Sequence, residues 1–125
     1  MELIATPAAP TARGHYSQAV VHAGLVYVAG QLPIDPANPA SPPGDFEQQA
    51  ARVLDNVEAI LQASGSSLPR VLKATVYIAD LAHWVAFNAL YAARMGTHRP
   101  ARTVVPVAQL HYGYLVEMDV IAALD

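Results

Sequence analysis

The stretch DFEQQAARVLDNVEAILQASGSSLPRVLKATVYI, residues 45–78, contains a helical pattern followed directly by a strand pattern. From Asp45 onward apolar residues recur at steps of three and four, which is typical of an amphipathic helix with one buried side. Asp45 with Gln48 resembles a capping box, and Gly65 suits the left-handed residue that ends a helix. The next segment, Val71–Ile78, is predicted to be a strand. Alternate residues of this strand are expected on one face: Leu72, Ala74, Val76 and Ile78.

The segments before this helix predict a β-hairpin and a loop. Residues 17–22 and 25–29 are rich in β-formers and flank the turn Ala23-Gly24. Residues 33–44 hold five of the ten prolines, so they are predicted to form a loop. A short extra strand is possible at Leu3–Ala5.

The segments after the first helix and strand predict a second helix and two further strands. Asp80 is a suitable N-cap for the helix and Gly96 a suitable end. The strands are expected near Arg102–Leu110 and Tyr114–Leu124, and Pro106 predicts an edge position or a bulge in the first. One side of the helix is expected to carry Leu81, Trp84, Val85, Asn88, Tyr91 and Met95.

The order of elements, β-β-α-β-α-β-β, predicts a single α+β domain over residues 1–125, with both helices on one face of a sheet. The strands are apolar on both faces, and two helices cover only one. A second subunit is the simplest cover for the other face. Strand alternation leads us to expect Arg102 and Glu117 on that second, subunit-facing side.

Composition narrows the class of protein. The chain is 54% hydrophobic and only 14% charged, which suggests that some surface is hidden in an oligomer. A net charge of −3 gives no electrostatic footprint for nucleic acid. No apolar run approaches a membrane span, and the first residues lack a signal-peptide pattern. We therefore expect a cytoplasmic protein that binds neither nucleic acid nor membrane.

Two charged residues in apolar surroundings are candidates for chemistry. Arg102 offers a planar fork that matches a carboxylate, and an anion clamp is about as well supported as a structural ion pair. Glu117 lies in a predicted strand, where burial requires a partner. It could pair with Arg102 or a backbone donor, or it could position and activate water. Asp119 shares its face but is expected to be more solvated.

Other polar residues have weaker signals. Tyr16 could pack or line a pocket, and Asn88 could simply tie a helix to a loop. Lys73 is the only lysine, and a strand-edge role is commoner than Schiff-base chemistry. The five histidines show no metal-binding spacing, cysteine is absent, and no nucleotide-binding motif occurs. We therefore expect no metal and no cofactor.

Taken together, the motifs resemble those of the Rid family, also called the YjgF/UK114 family, of imine and enamine deaminases. The resemblance runs essentially from end to end of the chain. It rests on the ordered segments 9–10 (AP), 14–20 (GHYSQAV), 29–33 (AGQLP), Asn56, 71–77 (VLKATVY), 87–91 (FNALY), 100–103 (PART) and 116–118 (VEM).

The resemblance implies a chorismate-mutase-like fold, a homotrimer with a β-barrel core, and clefts between subunits. It implies hydrolysis of 2-imino or enamine acids, such as 2-aminoacrylate, to 2-keto acids and ammonia without a cofactor. By position, Arg102 corresponds to the carboxylate clamp and Glu117 to the acid associated with the hydrolytic water. The residues implied to contribute to the substrate pocket are Tyr16, Gly30, Asn88, Arg102 and Val104.

Three positions depart from the family pattern. Val104 replaces a frequent cysteine, Ala29 replaces a serine, and residues 111–114 (HYGY) replace a leucine-proline turn. Two alternatives therefore stay open: a trimer that binds a small carboxylate or a client protein without turnover, and a deaminase for bulkier, aminomuconate-type substrates. A chorismate mutase is disfavoured, because its dianionic substrate needs several converging cations.

Overall fold

The computed structural model describes residues 1–124, and the strands and helices follow the predicted order. Short 3-10 turns at Leu68–Arg70, Leu81–His83 and His111–Gly113 connect them. The elements are β1 (Glu2–Ile4), β2 (Ala19–His22), β3 (Leu25–Gln31), α1 (Phe46–Ala63), β4 (Val71–Ile78), α2 (Trp84–Met95), β5 (Ala101–Pro106) and β6 (Val116–Ala123).

The strands form one mixed sheet in the order β1-β2-β3-β6-β4-β5. Only β4 and β5 pair in parallel, and α2 is the crossover between them. β6, the last strand, lies in the centre between β3 and β4. β5 is an edge strand that ends at Pro106, as the proline predicts.

The predicted helix ends are confirmed for α1. Asp45 Oδ1 accepts a hydrogen bond from the Gln48 N–H, and Gln48 Oε1 accepts one from the Asp45 N–H. Gly65 has a φ of 87° after the last turn. Asp80, however, caps the 3-10 turn at Leu81–His83, and α2 begins only at Trp84.

Both helices pack on one face of the sheet, and the hydrophobic core lies between the helices and that face. α1 contacts β3 and β6 and also packs against α2. Val116, Met118, Val120 and Ala122 of β6 are buried on this face, as predicted. The α+β class with two helices on one face is confirmed.

Two predicted faces are wrong. Leu72 is 48% exposed because the β4–β6 register shifts between Val71 and Lys73, so Val71 takes the buried position. On α2 the core side carries Phe87, Tyr91 and Met95. The predicted members Leu81, Trp84 and Val85 are exposed.

None of the helices among residues 1–124 has the length and apolar character needed to cross a membrane. The cytoplasmic location, the trimer and its barrel core stay predictions.

Candidate functional site

Arg102 lies on the edge strand β5, against α2. Its Nη1 donates a hydrogen bond to Asn88 Oδ1 at 3.0 Å. Its guanidinium carbon lies 4.8 Å from the centre of the Tyr91 ring and 5.9 Å from that of Trp84. Aromatic faces and an amide oxygen hold an arginine without neutralising its charge. The guanidinium is therefore oriented in advance for an anion.

The surroundings of Arg102 favour a carboxylate ligand. No carboxylate of residues 1–124 forms an ion pair with it. Val104, two residues along the strand, is partly buried and packs against the hydrophobic core. An arginine beside apolar groups is only partly hydrated, which strengthens a charge-assisted hydrogen bond.

Tyr91 contributes a polar group, its hydroxyl, that has no hydrogen-bond partner within residues 1–124. The hydroxyl is also buried. Burial raises the pKa of Tyr91, and the Arg102 charge opposes that rise. The hydroxyl therefore stays protonated beside the guanidinium at neutral pH.

Glu117 lies on the other face of the sheet, over the backbone of Gly30. A methyl group at Gly30 would lie 2.6 Å from Glu117 Oε2, so any larger residue here would require the carboxylate to move from this position. Val28 pairs with Val120 and Gln31 with Met118, so Ala29 and Gly30 together oppose one residue of β6. This bulge at the end of β3 brings the backbone of Gly30 close to the Glu117 side chain.

A cavity of about 460 Å³ adjoins Glu117 and Gly30. Tyr16 is among the residues that line it. The other lining residues are Pro10, Thr11, Arg13, Gly14, Ala29, Gln31, Leu32, Ile34, His111 and Tyr112.

The electrostatic environment favours the neutral form of Glu117. Burial raises the pKa of the Glu117 carboxyl, and the nearby Asp119 charge raises it further, whereas His111 lowers it. Burial also raises the pKa of Asp119, against the effect of its 3.2 Å hydrogen bond from the Tyr77 hydroxyl. A carboxylate with a raised pKa is a better proton acceptor.

Buried amides hold the loops of the cavity. Asn56 on α1 donates hydrogen bonds to the carbonyl oxygens of Leu32 and Ile34, at 3.0 and 2.9 Å. Gln18 donates to the carbonyls of the N-terminal segment, at 2.8 Å for Pro10. Because both amides are buried, these loops are fixed to the core.

The six candidate residues divide into two groups on opposite faces of the sheet. Arg102, Asn88 and Val104 lie on the helix side, whereas Tyr16, Gly30 and Glu117 surround the cavity. The expectation that Arg102 and Glu117 share a face is wrong. β5 pairs with β4 so that Arg102 aligns with Ala74, a buried residue, while Glu117 aligns with Tyr77 on the other face.

Three other residues contribute to these arrangements, although the sequence indicates no functional role for them. The sequence predicts Trp84 and Tyr91 only as members of one side of a helix, and their spacing from Asn88 could have indicated a shared surface around an arginine. Gln49 gives no signal from its sequence position, yet it accepts a hydrogen bond from the Leu115 N–H at 2.9 Å.

No group of three or more histidine, aspartate or glutamate side chains suitable for a metal occurs in residues 1–124. The absence of a metal and of a cofactor stays a prediction.

Comparison with known proteins decides the family. Residues 6–124 match the family described as endoribonuclease L-PSP. The chain belongs to this family, and the predicted Rid membership is confirmed. A RutC family protein of Pyrococcus abyssi is 42% identical over 121 residues, which are 97% of this chain and 95% of that protein.

Two further proteins are similar to this chain, one in structure and one in sequence. The crystal structure of the YjgF gene product from E. coli has a TM-score of 0.94 and 36% identity, with 100% of both chains covered. A goat (Capra hircus) protein named 2-iminobutanoate/2-iminopropanoate deaminase is 40% identical over 120 residues, 96% of this chain and 88% of its own.

Proposed function

We propose that the protein is a homotrimeric hydrolase that converts 2-imino and enamine acids, such as 2-aminoacrylate and 2-iminopropanoate, to 2-keto acids and ammonia. The observation that carries this proposal is the Arg102 guanidinium, held by Asn88 and Tyr91 with no carboxylate partner among residues 1–124. The name and similarity of the goat deaminase support the reaction class.

A trimer would supply what one chain lacks. Arg102 and Glu117 lie on opposite faces of one sheet, so one chain cannot bring both to the same small molecule. The face that carries Glu117 is open, with half-buried residues along β6, and the Arg102 group lies at the sheet edge. A cyclic assembly in which the edge of one subunit meets the open face of the next would join the two groups.

The reaction suits these residues. Arg102 holds the substrate carboxylate in two hydrogen bonds, and Asn88 maintains its orientation. An enamine such as 2-aminoacrylate first takes a proton from solvent at C3 and becomes the imine cation. Water then attacks C2 of this cation while the Glu117 carboxylate accepts a proton from the water. Glu117 returns that proton to the nitrogen of the carbinolamine, and the C–N bond breaks while the freed carboxylate takes the hydroxyl proton and passes it to the departing ammonia. The imine cation and water therefore give the keto acid and ammonium. An imine is already electrophilic, so orientation and proton transfer are sufficient.

A binding protein without turnover is the second candidate. Val104 and Ala29 provide no thiol or hydroxyl to the proposed cleft. The cleft therefore has fewer polar groups for catalysis, which favours binding without turnover. RNA is a poorer substrate for a chain with a net charge of −3.

Ammonia release from freshly generated 2-aminoacrylate tests the proposal. The wild type should accelerate release, Arg102→Ala should not, and the exposed neighbour Arg99→Ala should behave as wild type. Equal rates for wild type and Arg102→Ala would contradict the hydrolase. Binding of 2-keto acids by calorimetry without turnover would establish the binding protein instead.

A further inference from the structure

Tyr112 has an unusual backbone conformation at the rim of the Glu117 cavity. Its φ and ψ are 59° and 18°, in the left-handed region. This region is unfavourable for a residue with a Cβ, and glycine or asparagine adopts it more easily. The next residue, Gly113, has a φ of 74°, so the turn requires left-handed conformations at both positions.

The folded chain gains little from the Tyr112 ring. The residue is 76% exposed, the most of any tyrosine in the chain, so its ring is not a core anchor. Its ring contacts the Tyr114 ring, at 5.9 Å between centroids in an edge-on arrangement, and the His111 ring, at 5.6 Å. A strained backbone that presents an exposed ring is a reason to look for a ligand.

Tyr112 lines a cavity that is larger than a three-carbon imino acid needs. At about 460 Å³ the cavity lies in the range that holds ligands of drug size. The three aromatic residues that line it are His111, Tyr112 and Tyr16, and the apolar residues Leu32 and Ile34 line it as well. Aromatic walls favour a flat ligand, because rings stack or meet edge to face.

We propose that Tyr112, with His111 beside it, forms a side-chain subsite that selects 2-imino acids whose side chain ends in an aromatic or other flat unsaturated group. The inference rests on the proposed function, since Arg102 and Glu117 would hold the carboxylate and imine ends common to all such substrates. The subsite would then contact only the side chain, which is the third substituent on C2 of the substrate.

One feature of the cavity favours a different chemistry. Arg13 also lines it, and a cation there would suit an acidic side chain. Arg13 is exposed and forms no hydrogen bond or ion pair with residues 1–124, so the aromatic walls are the better defined feature. An acidic substrate is therefore one arm of the test.

The test compares three imines made in place from phenylalanine, alanine and glutamate by an amino acid oxidase. The kcat/KM for the phenylalanine imine should exceed that for the alanine imine about fivefold to tenfold. Tyr112→Asn should abolish this ratio and Tyr112→Phe should preserve it. Tyr112→Asn should not lower the melting temperature, because asparagine tolerates the left-handed conformation. Loss of the ratio together with a lower melting temperature would show a structural role and overturn the inference.

Calorimetry separates this inference from the proposed function. Phenylpyruvate should bind about fivefold to tenfold more tightly than pyruvate, and Tyr112→Asn should remove the difference. That result without turnover would contradict the hydrolase and leave the subsite standing. Turnover of all three imines with equal kcat/KM, or a preference for the glutamate imine, would overturn the subsite and leave the hydrolase standing.

Discussion

Arg102 and Glu117 lie on opposite faces of the same sheet. Arg102 aligns with Ala74 and Glu117 with Tyr77, two β4 residues whose side chains point in opposite directions because their positions differ by an odd number. A substrate with its carboxylate on Arg102 therefore cannot reach Glu117 of the same chain. The separation makes the subunit interface part of the proposed chemistry.

The shape of the Arg102 side chain should matter as much as its charge. Arg102→Lys keeps the charge but loses the planar fork, so kcat/KM for 2-aminoacrylate should fall about 10- to 100-fold, as for the loss of one charge-assisted hydrogen bond. Steady-state kinetics measure this. Arg99→Lys is the matched control, and equal kinetics for the two variants would contradict the clamp.

The raised pKa of Glu117 should appear in the pH dependence of kcat/KM. Proton acceptance needs the carboxylate, so activity should be lost as pH falls through a pKa above the ordinary glutamate value of 4.5. Asp119→Asn removes a neighbouring negative charge and should move this loss to lower pH. An unchanged profile in Asp119→Asn would contradict the coupling of the two carboxyls.

The same shift has a consequence for stability with a definite sign. Burial disfavours the charged form of Glu117 in the folded state, so the folded protein holds its proton more tightly than the unfolded chain. The contribution of Glu117 to the free energy of unfolding should therefore fall as pH rises from 4.5 through the raised folded pKa. Denaturant unfolding at several pH values should show a smaller fall for Glu117→Gln, and an equal fall would contradict the assignment.

Gly30→Ala should impair the reaction through Glu117. The added methyl group would lie 2.6 Å from Oε2, so the carboxylate must move away from its position. We expect kcat to fall between about 10- and 100-fold, as for other small displacements of reacting groups. In a Glu117→Gln background the same change should cost little more, since both act on one group. Full additivity of the two effects would contradict the mechanism.

Asn56 should stabilise both the fold and the cavity loop. Asn56→Ala leaves the Leu32 and Ile34 carbonyls without their buried donor, which should lower the free energy of unfolding by about 2 kcal/mol. Asn38→Ala, at an exposed position in the proline-rich loop, should change it by less than about 0.5 kcal/mol. Equal effects in urea denaturation would show that the loop is not held in this way.

Much of the fold follows from local patterns in the sequence. The capping box at Asp45, the end of α1 at Gly65 and the edge position of Pro106 depend on backbone chemistry within a few residues. The faces of Leu72 and Arg102 depend on pairing between strands that are distant in sequence. A register shift reverses the face of Leu72, and the β4–β5 pairing decides which side Arg102 takes. The alternation of residues within one strand predicts neither the register shift nor the pairing of β4 with β5.

The candidate residues were predictable in type but not in arrangement. Arg102 and Glu117 are conspicuous as charges among apolar residues, and the family motifs include Tyr16, Gly30 and Asn88. The left-handed backbone of Tyr112 follows from the geometry of the turn at His111–Gly113. A tyrosine at this position does not by itself predict that conformation. The close approach of Glu117 to Gly30 likewise needs the bulge at Ala29 and Gly30.

Mixed trimers test the central claim most directly, namely that Arg102 of one subunit works with Glu117 of another. Arg102→Ala and Glu117→Gln should each be inactive alone. When the two variants are mixed by refolding or coexpression, random assembly around a three-fold axis should restore about one quarter of the wild-type clefts and of the ammonia release. Light scattering verifies that the mixture is trimeric. Mixed trimers with no more activity than either parent would contradict the shared site.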